Sequence, residues 1–140
     1  MNIKRLVASS GIALALTGSM LTFAAPANAV IGCEDFHACL YYNSDYKGAM
    51  YKQEYDVPDY YNRYFSASLA GSNGDGLVVK NNAASVDNWD RLSRIRIYYN
   101  SNYNGSYAYQ TIAANGKANL NSTMKNNNAS GMFIDYGGNK

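Results

Sequence analysis

Residues 41–51 read YYNSDYKGAMY and residues 98–109 read YYNSNYNGSYAY, and the overlay of these two stretches decides the fold. Tyr41, Tyr42, Asn43, Ser44, Tyr46 and Gly48 recur as Tyr98, Tyr99, Asn100, Ser101, Tyr103 and Gly105, at a constant offset of 57 residues. A second pair follows in the same order, VKNNAAS at 79–85 and MKNNNAS at 124–130, now offset by 45. Two matching blocks in one order make the chain a tandem duplication. The offsets differ by 12 residues, which assigns extra chain to the first copy, within 60–76.

Each copy reads as short strands joined by tight turns. Residues 38–42 and 94–99 are rich in β-branched, aromatic and aliphatic side chains, which suit a pleated, half-buried surface. Ile95, Ile97 and Tyr99 alternate with Arg94, Arg96 and Tyr98, the period of a strand with one buried face. Asn-Ser-x-Tyr-x-Gly then predicts a folded hairpin, with Gly48 and Gly105 supplying positive φ. Second strands are expected over 49–55 and 106–112, and further ones near 77–80 and 132–135. About four strands per copy predict an all-β sandwich of two tandem Greek keys, about 33–90 and about 91–140.

The flanks bound the compartment. Lys4 and Arg5 precede an apolar run over 6–25, and Ala27-Asn28-Ala29 offers a small-x-small cleavage site. Ser9, Ser10, Gly11, Thr17, Gly18 and Ser19 soften that run, which disfavours a membrane anchor. Residues 1–29 are therefore expected to be a cleaved export signal and 30–140 a single secreted domain. Lys4 and Arg5 leave with the signal, so ten basic residues balance ten acidic ones in what remains. The basic stripe of a nucleic-acid binder and the basic helix of a membrane-surface binder are both missing. The 14 tyrosines must supply much of the core, with their hydroxyls reaching polar partners.

Cys33 and Cys39 are the only cysteines, and an even count in an exported chain predicts a disulfide. A loop this short contributes about 2 kcal/mol in the chain-entropy picture. His37 is the only histidine, no nucleophile motif stands near it, and no acidic pair suggests a raised pKa. An enzyme is not expected.

With these residues in view, a resemblance emerges. Tyr41-x-x-x-x-Tyr46-x-Gly48 and Tyr98-x-x-x-x-Tyr103-x-Gly105 resemble the aromatic signature of βγ-crystallin Greek keys. CLYYNSDYKG at 39–48 together with VKNNAAS resembles the secreted actinobacterial peptidase inhibitors grouped with the Streptomyces metalloproteinase inhibitor. The resemblance implies a βγ-crystallin-like domain and inhibition of an extracellular metalloprotease by a rigid protruding loop; a monomer with no required cofactor is expected. It also implies that the reactive loop is braced by a second disulfide, for which this chain has no cysteines, so no inhibitory residue is carried over.

Two readings of other residues stay open. Microbial βγ-crystallins bind calcium through an (Asn/Asp)-(Asn/Asp)-x-x-(Ser/Thr)-Ser pattern. Asn81, Asn82 and Ser85, and equally Asn126, Asn127 and Ser130, match it apart from the final Ser, where Val86 and Gly131 stand. Residues 89–93, WDRLS, match it less well. Calcium favours charged oxygens, and both asparagine blocks lack a carboxylate, so they also read as turn hydrogen-bonders that brace the key. The corresponding alternative function is a calcium-binding or structural extracellular crystallin-type protein. Tyr60, Tyr61, Tyr64 and Phe65, in the unshared segment, read as either a partner surface or a hydrophobic plug.

Overall fold

The computed structural model describes residues 30–135; the expected export signal, 1–29, lies outside the described residues. The described strands are β1 (Ala38–Asn43), β2 (Lys47–Gln53), β3 (Ser85–Asn88), β4 (Arg94–Tyr98), β5 (Tyr109–Ile112), β6 (Lys117–Asn119) and β7 (Ser130–Ile134), with a 3-10 turn over Tyr60–Asn62. They form two antiparallel sheets, ordered β2-β1-β3-β6 and β5-β4-β7. The all-β double Greek key expected from the repeat is the observed architecture.

The keys are interlocked. β6, from the second copy, pairs with β3 of the first, Val86 opposite Ala118. Reciprocally, Val57 of the first copy bridges Gly131 in β7, through N–H to carbonyl bonds of 2.8 and 3.0 Å. Each sheet thus borrows an edge from the other copy, and neither copy closes alone. The shared core between the sheets holds Leu40, Val86, Ile95, Ile97, Met124 and Phe133. Burying such side chains contributes about 1.5–3 kcal/mol each. A smaller cluster of Cys39, Tyr41 and Met50 lies outside the main core, covered by Ile31, Cys33 and Tyr46.

Ile95 and Ile97 are buried and Arg94 exposed, as the alternation predicts. Tyr98 is buried as well, because its ring packs edge-on against Tyr103 at 6.1 Å. The first copy repeats this with Tyr41 and Tyr46 at 6.3 Å.

Several expected elements differ. Residues 77–80 form no strand: Val78 makes one bridge to Tyr64, and the chain then turns through Asn81 at φ 61°. The strand that fills this place is β3, which carries Ser85 to the first hairpin. The strand expected at 132–135 begins earlier, at Ser130, for the same reason in the second copy. The hairpin reversals are made by Asp45 and Tyr46 (φ 60° and 59°) and by Asn102 and Tyr103 (both 58°). Gly48 does take positive φ, 84°, but Gly105 does not. The inserted segment explains the contrast. Gly48 N–H donates to Ala70 O and Ala49 N–H to Asn73 O, both at 2.9 Å, so the insertion presses on Gly48 and extends β2 up to the turn. The second copy has no insertion there, and β5 starts only at Tyr109, not near 106.

Candidate functional site

The connection between the keys, residues 89–93, is held from within. Asn88, at the end of β3, and Asp90 are fully buried. Asn88 Nδ2 donates to Ser93 O and Ala113 O, both at 2.9 Å, while its Oδ1 accepts Asp90 N–H at 3.1 Å. Asp90 Oδ1 accepts the N–H groups of Leu92 and Ser93, each at 2.8 Å. Asn115 N–H closes on Asp90 O at 2.7 Å. Two side chains thereby fix the backbone of a loop in which Trp89, Arg91 and Leu92 stay exposed.

The disulfide-closed segment buttresses the loop from one side. Cys33 and Cys39 are bonded, with Cα atoms 5.9 Å apart, as expected. Between them, Phe36 N–H donates to Trp89 O at 3.2 Å, and Trp89 N–H donates to His37 O at 2.8 Å. Arg91 Nη2 lies 3.0 Å from both carboxylate oxygens of Asp35. That exposed pair contributes about 0–1 kcal/mol, so it serves mainly to set the direction of Arg91. Phe36, Trp89 and Leu92 form an exposed apolar rim. Beside it an apolar depression of about 320 Å³ is lined by Ile31, Tyr41, Met50, Leu69 and Trp89. Leu69, 81% exposed, stands at the tip of a Ser68–Gly71 turn.

From the sequence, residues 89–93 read only as a weak calcium match. The signal that marks them is Asn88-x-Asp90 between two strand-like runs, the side chains that hydrogen-bond backbone groups two and three residues on.

The hairpin residues are brought together as the repeat implies. Ser85 Oγ accepts Tyr46 N–H at 3.0 Å and donates to Asn43 O at 2.7 Å. Ser130 Oγ accepts Tyr103 N–H at 3.1 Å and donates to Asn100 O at 2.7 Å. The asparagine blocks face one another across the keys: Asn81 N–H donates to Asn128 O at 2.7 Å and Asn126 N–H to Ala83 O at 2.9 Å. Asn82 and Asn127 turn their amides onto local carbonyls, those of Val78 and Thr123 at 3.0 Å. Asn82, Asn127, Ser85 and Ser130 thus commit their side chains to turn and hairpin hydrogen bonds, and Asn81 and Asn126 commit their backbone N–H groups to the contact between the keys. Among the described residues no three or more His, Cys, Asp and Glu side chains cluster as a metal site.

The aromatic insertion divides. Tyr60 and Phe65 are buried in the core, whereas Tyr61 and Tyr64 are exposed. Tyr60 Oη donates to the buried Gln53 Oε1 at 2.6 Å, and burial pushes its pKa well up. His37, half-buried, holds its Nδ1 2.8 Å from Asp35 O.

Fold and hairpin braces together define a βγ-crystallin-type double Greek key. A chain from structural work on the evolution of the eye lens βγ-crystallin domain fold superposes with a TM-score of 0.57 at 14% identity. The match covers 76% of this chain and 94% of that one. The profile of peptidase inhibitor family I36 matches residues 24–110, and the chain belongs to that family. Membership makes it an inhibitor-type protein and not an enzyme. No curated protein matches the sequence. No helix of the described residues is long and apolar enough to cross a membrane.

Proposed function

We propose that the chain is exported, trimmed after Ala29, and inhibits an extracellular metalloprotease as a monomer, with residues 89–93 as its docking loop. The observation that carries this reading is the buried Asn88–Asp90 clamp beneath an exposed Arg91-Leu92 pair. A loop already fixed in one shape loses little conformational entropy on docking, and one that cannot relax after attack is a poor substrate. The disulfide segment and the clamp do here the bracing that the resemblance assigns to a second disulfide. Leu92 supplies an apolar side chain for a specificity pocket, and the rim of Phe36 and Trp89 adds contact area of the kind that dominates interfaces.

The test is residual activity of a thermolysin-type metalloprotease, and of a subtilisin, titrated with folded residues 30–140. Stoichiometric loss of metalloprotease activity is expected. Leu92→Asp is expected to abolish it while leaving the melting temperature unchanged. Full activity of both proteases at micromolar excess of inhibitor overturns the reading. Inhibition of subtilisin alone overturns the metalloprotease assignment.

A further inference from the structure

We infer that the ammonium groups of Lys80 and Lys125, standing at the first position of the calcium pattern, do the bridging that an ion would otherwise do, so that the interlock between the keys is held by tethered cations and is independent of calcium. The bracing role of Ser85 and Ser130 is the starting point. The calcium pattern ends in two hydroxyl positions, and each block here has one serine. Placed fifth, Ser85 and Ser130 leave Val86 and Gly131 sixth; placed sixth, they leave Ala84 and Ala129 fifth. Either register lacks one hydroxyl. In the second, Lys80 and Lys125 stand at the first position, where the pattern requires Asn or Asp.

The lysines behave as the cations of that second register. Lys80 Nζ donates to Ser101 Oγ and to Asp59 Oδ2, both at 3.0 Å. Lys125 Nζ donates to Ser44 Oγ at 3.0 Å. Lys80 and Lys125 are repeat equivalents, and so are Ser44 and Ser101. Each key therefore sends its lysine across to the hairpin serine of the other, beside the reciprocal Asn81 and Asn126 backbone bonds. Lys125 reaches into a polar cavity of about 250 Å³ lined by Tyr42, Asn43, Ser44, Asn82 and Asn126.

The residues present do not fit calcium. That ion takes six to eight oxygens, with charged ones preferred, and the side chains that line the Lys125 cavity include no carboxylate. At the other position the one carboxylate, Asp59, is already neutralised by Lys80. An ammonium among the would-be ligands repels a divalent ion and satisfies the same oxygens with its three donors.

The experiment is thermal unfolding of residues 30–140 in millimolar calcium and in excess chelator, for the wild type and for Lys80→Asp, Lys125→Asp and Lys125→Asn. The wild type is expected to melt at one temperature in both solutions. The folded aspartate variants are expected to melt lower in chelator and to recover by several degrees in calcium, with Lys125→Asn as the milder replacement should aspartate prevent folding. A calcium-dependent rise in the wild type, reversed by chelator, overturns the inference. So does a failure of every folded lysine variant to gain any calcium response.

Discussion

At the residue scale, Ser85 and Ser130 do the same work in two places. Each hydroxyl accepts one hairpin N–H and donates to one hairpin carbonyl, out of reach of water. Ser85→Ala or Ser130→Ala strands both groups, and each variant is expected to lose about 1–3 kcal/mol in urea unfolding. An unchanged midpoint for either would remove the brace from the account. The glycines, in contrast, part company. At Gly48 a Cβ would sit 2.7 Å from Asn73 O on a left-handed backbone, whereas at Gly105 its nearest neighbour is Tyr109 Cδ1 at 3.4 Å. Gly48→Ala is expected to cost more than about 1 kcal/mol and Gly105→Ala well under that. Equal losses in parallel melts would refute this asymmetry. The sequence alone made the two equal, because it does not show that the insertion lies against one and not the other.

At the element scale, the disulfide segment and the inter-key loop form one support. Reducing or replacing the Cys33–Cys39 bond frees a segment whose backbone holds Trp89 from both sides. The double Cys→Ser variant is expected to lose about 2 kcal/mol of stability. It is also expected to inhibit more weakly than stability alone explains, because the loop then has to be ordered on docking. The comparison is between the fraction folded and the inhibition constant at one temperature. If weaker inhibition tracks only the unfolded fraction, the buttress has no part in binding. The strands of the first hairpin were legible in the sequence, since Leu40 and its neighbours carry strong β-formers. β6 was not. Its three residues, Lys117-Ala118-Asn119, have no strand signal of their own and are strand only because β3 offers them a ladder.

At the scale of the molecule, Asp59 joins the keys. Desolvation draws its carboxyl pKa up, but hydrogen bonds from Lys80, Tyr61 N–H and Ser101 hold it below the ordinary carboxylate value. A carboxyl depressed on folding contributes stability that is complete above its unfolded pKa, about 3.9, and is lost as pH falls from there through the folded value. Asp56 acts in the opposite sense, since burial raises its pKa despite the N–H of Phe133. Comparing the wild type with Asp59→Asn isolates the first effect. Between about pH 4 and pH 2 the wild type is expected to lose stability more steeply than the variant. Parallel urea midpoints over that range would show that Asp59 does not couple folding to protons.

The amino-acid sequence determined the duplication, the hairpins, the tyrosine corners and the disulfide. All of these rest on residues close together in the chain, where spacing and residue type are nearly the whole of the physics. Only the tertiary structure decided how the copies interlock, which tyrosines of the insertion are core, and where the lysine ammonium groups go. Those outcomes depend on contacts between residues far apart in the chain, such as Lys80 with Ser101, 21 residues away, and Lys125 with Ser44, 81 residues away. No local preference encodes such contacts: they form because each sheet completes itself with an edge from the other copy.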